Sequence, residues 1–552
     1  MSSVLERLHP SLVQVLRARG LTTLAQQQAF LNPSLSDLRP LETMTQMPRA
    51  VERLRRAIDK QEIIAIYADR DVDGLTGLAI LVRSLKTLGA RVIWGCPPKG
   101  GRGIDDAAMA LLRDQKPGVM IFVDCGTGEN ETMARLHHEG VDCIVADHHR
   151  LHPSEAASSV IAWIHPAHDQ GGEEEKPAGC VMAFKLAQGL WEAFLGKEDT
   201  ARLDYFLYNH LDLLALGILA DRVPLTGENR VYVWHGLHRL ANSRKAGLAA
   251  LNRFLRIKTA PAGVREVTWR LIPMLNAAGR LGRPELTAQL LLTEDFDTAH
   301  ACIDELLELN DQRRTAQSQS LLIFEQAVRD QCAVQDDPVL VAMATDLEPS
   351  VTGLAAQAIA RKYEKPVFLF VRQGEEATGS GRGMAGYDMF ACVEKVQDLL
   401  VKFGGHEGAA GLTIRTKDFA QVRARLVEEG RRQSLSARDL SPTVEASLLL
   451  SEATADWWVQ LQTLAPFGQG NPMPLFQLTD VRSIVRPPSR RTKTQKPHWI
   501  HHGSQQWPAQ LREGLAEWPE GTHEGPWTMT AYPETSKDFD SPFQWIIHEV
   551  TK

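Results

Sequence analysis

Cysteine is scarce in this chain. There are seven in 552 residues, at positions 96, 125, 143, 180, 302, 332 and 392, an odd number and never spaced as CxxC. That argues against a disulfide framework and a thiolate zinc site, and it fits a reducing compartment. Long apolar runs are missing as well. No stretch approaches the roughly 20 apolar residues of a membrane span, and the N-terminal MSSVLERLHPSLVQVLRARG lacks the continuous apolar core of a signal peptide. Nor is there a global basic field. Lys and Arg number 61 against 68 Asp and Glu, a formal net charge of −7, so a nucleic-acid partner would have to be met by local basic patches. Internal repeats and low-complexity tracts are absent. The expectation is a cytoplasmic protein with no membrane association.

What is present is ordinary globular material, 43% hydrophobic and 23% charged, in a length that calls for several domains. From Ile63 to Ala146 short apolar runs alternate with helical patterns: 63–68, 91–94, 119–123 and 143–146 read as strands, and 76–88, 105–114 and 129–139 as helices. Such alternation implies a mostly parallel sheet with helices on both faces. Residues 299–332 hold neither Gly nor Pro and carry apolar residues at helical spacing, which predicts one long connecting helix. A second α/β pattern runs from about 338 to 437. Short strands with Pro/Gly turns follow it, and seven of the twelve tryptophans lie beyond residue 456. The expected division is 1–298 (N-terminal helices and parallel-sheet domain), 299–334 (connecting helix), 335–437 (smaller α/β domain) and 438–552 (all-β domain).

The chemistry gathers at strand ends. The first run closes in Asp69-Arg70-Asp71-Val72-Asp73-Gly74, the third in Asp124-Cys125-Gly126 and the fourth in Asp147-His148-His149, while Asp221 closes an apolar segment at 213–220. Each alone would more often be a turn residue or a helix cap than a ligand. In open α/β sheets ligands bind outside the carboxyl ends of strands, and acids crowded there repel one another unless a cation lies between them. Carboxylates with one or two histidines suit Mn²⁺ or Mg²⁺ better than zinc or copper. More ligands than one ion needs point to a two-metal site, a device for hydrolysing phosphate esters.

Asp71-x-Asp73, Asp124, Asp147-His148-His149 and Asp221 match in order and spacing the four motifs of the DHH phosphoesterases. Leu216–Leu225, Gly227-Glu228-Asn229-Arg230, Asn276–Gly282 and Phe403–Gly411 further resemble the RecJ family of single-strand-specific 5′→3′ exonucleases, over about residues 40 to 480. The resemblance implies that Asp71, Asp73, Asp124, His148 and Asp221 hold two Mn²⁺ or Mg²⁺ ions with Asp124 bridging. It places Asp69 beside them as an auxiliary ligand and His149 at the scissile phosphate or in proton transfer, with Asp147 orienting its neighbours. Tyr67 stands where many relatives carry a histidine ligand.

The same resemblance makes 335–437 a DHH-associated (DHHA1) domain. There Ser380, Arg382, Gly405 and His406 would contact phosphate, with Arg280 as a second clamp; a tight turn explains either glycine loop taken alone. The family usually has serine where Gly383 stands, and Cys96–Ile104 departs from its Arg…Gly-Tyr-Gly pattern. Ala465–Pro472 resembles the entry to the family's OB-fold. Between Arg482 and Lys496 lie six basic residues and no acid, with Arg490, Arg491 and Lys493 as candidate strand contacts. Trp499 and Trp507 read either as stacking platforms or as core. The implied activity is metal-dependent hydrolysis of single-stranded DNA from the 5′ end to 5′-mononucleotides, in DNA repair and recombination. The implied protein is a monomer, with a single-strand-binding protein and a RecQ-type helicase as candidate partners. Two other readings stand beside it. One is a DHH phosphodiesterase for short oligonucleotides or cyclic dinucleotides, which would not need the basic tail; the other is an inactive single-strand-binding scaffold, which would have lost acids that are all present here.

Overall fold

Five parallel strands build the first sheet: β1 (Ile63–Ala68), β2 (Arg91–Gly95), β3 (Val119–Val123), β4 (Asp142–Ala146) and β5 (Val160–Ile164), in the order β2-β1-β3-β4-β5. The structure, a computed structural model, describes residues 8–97, 104–151, 159–257, 261–384, 386–433, 443–485, 498–512, 527–536 and 541–551. Strand periodicity sends alternate side chains to opposite layers. In β1, Ile64, Ile66 and Ala68 enter one core with the helices Val72–Thr87 and Gly179–Leu195, whereas Ala65 and Tyr67 enter the other with Asp106–Arg113 and Asn130–His138. Both faces are thus covered, which is why these strands read as continuous apolar runs.

The helix Phe296–Gln331 is one element of 36 residues, about 54 Å at about 1.5 Å per residue. Its first half buries Ala299, Cys302, Ile303 and Leu306 in the first core, and its second half buries Phe324 and Val328 against the second sheet. That sheet comprises β6 (Leu340–Ala344), β7 (Val367–Gln373), β8 (Glu376–Arg382), β9 (Leu400–His406) and β10 (Ala409–Arg415) in the order β6-β7-β8-β10-β9. Only β6 and β7 pair in parallel.

The C-terminal region is built on a seven-stranded sheet: β11 (Ala446–Leu449), β12 (Phe476–Val481), β13 (Ser483–Val485), β14 (His498–His502), β15 (Gln505–Leu511), β16 (Trp527–Thr535) and β17 (Phe543–Thr551), in the order β11-β12-β16-β17-β15-β14-β13. Tryptophans fill its core: Trp457 and Trp545 stand 5.7 Å apart between ring centroids, and the Trp507 indole donates to the Ala453 carbonyl at 2.7 Å. Trp507 is therefore core and not a stacking platform. No described helix is long and apolar enough to cross a membrane.

The N-terminal helices sit differently from the expected grouping with the first sheet. Leu8, Leu12, Val15, Leu16 and Leu31 share a core with Trp457, Phe476 and Trp545. The apolar faces of Pro10–Ala18 and Leu24–Leu31 find their partner in the C-terminal sheet, and Arg19 fixes them there through Glu445 at 2.6 and 2.9 Å. Arg230 joins the parts. Buried under the Phe30 ring at 3.7 Å, its guanidinium donates to the Phe30, Leu464 and Ala465 carbonyls at 3.0, 3.2 and 2.7 Å. Hydrogen bonds from a charged donor contribute about 1.5–3 kcal/mol each, and the part-buried Phe30 and Ala465 carbonyls would lose this donor. Arg230→Ala is accordingly expected to lower the melting temperature of the full chain by several degrees, read by calorimetry. An unchanged melting profile would show that the junction does not depend on this residue.

Candidate metal centre

Strand register sets the first feature of the site. Ala68 pairs with Val123, and Val123 with Ala146. The next residue on each strand is an aspartate, so Asp69, Asp124 and Asp147 emerge side by side at one sheet edge, about 4.8 Å apart by strand spacing. Their backbone amides continue the ladder, donating to Val123, Ala146 and Ile164 carbonyls at 3.1, 2.9 and 3.2 Å. Asp124 has φ of +56°, a left-handed conformation uncommon for a non-glycine residue and characteristic of constrained sites.

Helix ends bring the remaining groups. Asp71 caps Val72–Thr87, accepting from the Asp73 and Gly74 amides at 2.9 and 3.3 Å. One residue inside that helix, Asp73 is buried, and both its oxygens accept backbone N–H groups, Gly179 at 2.7 Å and Cys180 at 2.9 Å. Gly179 must be glycine, since a Cβ there would lie 2.6 Å from Asp124 Oδ1. Asp221 ends the helix Thr200–Asp221. The His148 imidazole faces three acids, its Nε2 being 3.2 Å from Asp124 Oδ1, 3.6 Å from Asp221 Oδ2 and 4.0 Å from Asp73 Oδ2. Asp147 accepts from His149 Nδ1 at 2.8 Å, from the His148 amide at 2.7 Å and from the Thr127 amide at 3.1 Å, so it orients the His149 imidazole and holds the His148 backbone.

Three ligand groups result, each with its donor atoms within 4.8 Å: Asp69, Asp71 and Asp124; Asp73, His148 and Asp221; and Asp124, Asp147, His148 and His149. Asp124 is common to two of them. Six carboxylates against two imidazoles leave the edge short of positive charge, and Asp124 Oδ1 is buried without a hydrogen-bond donor in good geometry. Burial first, then the neighbouring carboxylates, push the Asp73 and Asp124 carboxyls above the usual range. Burial would lower both imidazoles, but Asp221 and Asp73 raise His148, and Asp147 raises His149 to about 9. Burial likewise works against the Asp147 carboxylate, yet the two imidazoles hold it well below its ordinary range. Hard, oxygen-rich and with more carboxylates than imidazoles to balance them, this donor set fits Mn²⁺ or Mg²⁺.

The other expected contacts lie elsewhere. Ser380 and Arg382 are on β8, where the guanidinium donates to Ser380 Oγ at 2.9 Å and to the Gly381 carbonyl at 2.7 Å. Gly405 and His406 are on β9, opposite Ala410 and Ala409. At Gly383 a Cβ would come within 2.9 Å of Met389 Cγ, so a serine there would require the Met389 side chain to shift. Arg280 ends the helix Ile272–Arg280. Arg490, Arg491, Lys493 and residues 98–103 lie outside the described residues. Tyr67 does not replace a ligand: its hydroxyl accepts from the Asp105 amide at 2.8 Å, beneath the segment that starts the next helix.

Three supports of the site are not legible as ligands in the sequence. Asn276 Oδ1 accepts from the Val72 amide at 2.9 Å and pins the helix that carries Asp73. The Gly179 and Cys180 amides act through backbone alone. His165 holds the His149 carbonyl at 2.8 Å.

A parallel sheet whose edge gathers Asp-x-Asp, a single Asp and Asp-His-His defines the class. The DHH family, N-terminal domain, matches residues 63–218, and the DHHA1 domain matches 336–429. Among curated proteins, the single-stranded-DNA-specific exonuclease RecJ of Dickeya dadantii is 31% identical over 498 residues, covering 85% of this chain and 83% of that one. The RecJ of Bacillus subtilis is 31% identical over 501 residues, covering 88% of this chain and 61% of that one; the chain thus spans about three fifths of the Bacillus protein. The crystal structure of RecJ in complex with Mn²⁺ from Thermus thermophilus superposes with a TM-score of 0.81 at 27% identity, over 100% of this chain and 77% of that one. The chain belongs to the RecJ family.

The electrostatics generate a test. Adding Mn²⁺ should raise the melting temperature, by roughly 5–10 °C at a hundredfold excess over Kd if one site couples to one domain's unfolding. Asp124→Asn should lose most of that rise while melting no lower than the unsubstituted chain under chelator, because it removes a repelling charge. A variant that keeps the full metal-induced rise would contradict the placement.

Proposed function

We propose that this chain is a metal-dependent exonuclease that hydrolyses single-stranded DNA from the 5′ end to 5′-mononucleotides, in DNA repair and recombination. The observation that carries it is the convergence of six carboxylates and two imidazoles on one sheet edge, in a chain of a family whose members are named single-stranded-DNA-specific exonucleases. Asp71, Asp73, Asp124, His148 and Asp221 would hold two Mn²⁺ or Mg²⁺ ions, with Asp69 beside them and Asp124 shared. Cations there would supply charge stabilisation at the phosphoryl oxygens and lower the pKa of a bound water.

The chain's own groups do the rest. Asp147 ties down His149 Nδ1, which leaves Nε2 to donate to a phosphoryl oxygen. The Arg382 guanidinium with Ser380, the Gly405 and His406 backbone and Arg280 would clamp the terminal phosphate, and the resemblance to the family supplies the 5′ direction. The basic run with Arg490, Arg491 and Lys493 would hold the strand leading in, through contacts sensitive to salt. The chain acts as a monomer, and in the cytoplasm, a reducing compartment that suits its seven free thiols. A single-strand-binding protein and a RecQ-type helicase are its candidate partners.

The test incubates 5′-labelled and 3′-labelled single strands, a duplex, a circular single strand and a dinucleotide with Mn²⁺, Mg²⁺ or chelator. Labelled mononucleotide should leave the 5′ end from the first time point, only with metal. Arg280→Ala should lose most of the preference for a 5′-phosphate over a 5′-hydroxyl. A ladder shortening from the 3′ end, cuts in the circle, or hydrolysis confined to the dinucleotide would contradict the proposal.

A further inference from the structure

The segment after Gly263 contains an irregularity. Val267–Leu271 forms a π-helical turn, a rare geometry frequent at functional sites, and it runs directly into the helix that carries Asn276 and Arg280. The turn buries Val267 and Leu271 in the first core and leaves Trp269, between them, 62% exposed. Thr268 Oγ1 braces it on the Val264 carbonyl at 2.9 Å. Most other tryptophans of this chain that the structure describes are wholly or largely buried, so an outward indole on a braced turn calls for a role.

Its surroundings supply one. The Arg361 guanidinium, from the last turn of Thr352–Tyr363 on the second domain, stands over the Trp269 ring at 6.0 Å. Arg222, the residue after Asp221, lies near enough to Arg361 for their positive charges to oppose each other. Among the described residues neither arginine has an ion pair. Arg265, four residues before Trp269, pairs with Glu534 of the C-terminal sheet. The exposed indole thus sits where the three parts of the chain meet. Through Arg361 and Arg222 its surroundings reach the acid cluster at Asp221, and through Arg265 they touch the all-β region.

A guanidinium over an exposed aromatic face, with a second arginine close enough to feel its charge, matches a polyanion whose units carry flat rings. We propose that Trp269, Arg361 and Arg222 form a strand-holding subsite: a nucleobase downstream of the cleaved end stacks on Trp269, and the two arginines take the flanking phosphates. This rests on the reading of the chain as a single-strand exonuclease and adds to it the surface that keeps the strand in register between the metal centre and the C-terminal region.

The test uses the full chain in Mn²⁺ with a 5′-phosphorylated single strand of about 20 nucleotides. Trp269→Ala should raise KM about tenfold, within the usual worth of one base–aromatic stack, and Trp269→Phe should recover most of it. Arg361→Gln should reduce the slope of log binding constant against log salt by about 0.7, the share of one phosphate on a single strand. A KM within twofold of the unsubstituted chain in Trp269→Ala overturns the inference alone. So does equal loss in Trp269→Ala and Trp269→Phe with a lowered melting temperature, which would make the indole a packing contact. If the unsubstituted chain does not cleave single strands, this inference falls together with the reading beneath it.

Discussion

Like charge held together against its own repulsion is the constraint on which this structure turns. A parallel sheet in register delivers Asp69, Asp124 and Asp147 to one edge, and helix ends add Asp71, Asp73 and Asp221. At about 5 Å and partly out of water, each pair of carboxylates repels by a few kcal/mol at an effective dielectric near 20. Two imidazoles cannot balance six acids. The stable solution is either protonation, which the raised Asp73 and Asp124 carboxyls indicate, or divalent cations.

The rest of the first domain holds that arrangement still. Backbone N–H groups carry most of the burden: Asp73 takes two, Asp71 two and Asp147 three. Such donors cannot rotate away as side chains can, so the oxygens left over point in fixed directions. Asn276 and His165 extend the same scheme outward, one locking the helix that carries Asp73 and the other the backbone of His149. The cost of crowding is met by packing at a distance, through fully buried β1 and β3 side chains that each contribute about 1.5–3 kcal/mol.

Much of this was legible in the sequence, for particular reasons. Runs buried on both faces stand out as unbroken apolar text, so β1, β3 and β4 and the acids at their ends could be read directly. The 36-residue helix showed itself by the absence of Gly and Pro. Less visible was whatever acts through the backbone or through tertiary partners. Gly179 and Cys180 hold Asp73 with amides of a kind that nearly every residue possesses. Arg230 resembles part of a functional motif, yet it serves as a staple between parts of the chain. The N-terminal helices carry an apolar face, but nothing in their own residues says that its partner lies more than 400 residues away. Trp507 and Trp269 share one residue type, and only their surroundings separate core from exposed platform.

The central claim is that the edge is built for a pair of cations, with Asp124 common to both. Counting Mn²⁺ per chain tests it most directly, by elemental analysis of the full chain after equilibrium dialysis against Mn²⁺. The account predicts two ions per chain, falling to one or none when Asp124 is replaced by alanine. A saturating count of one in the unsubstituted chain, or two retained in the variant, would contradict it.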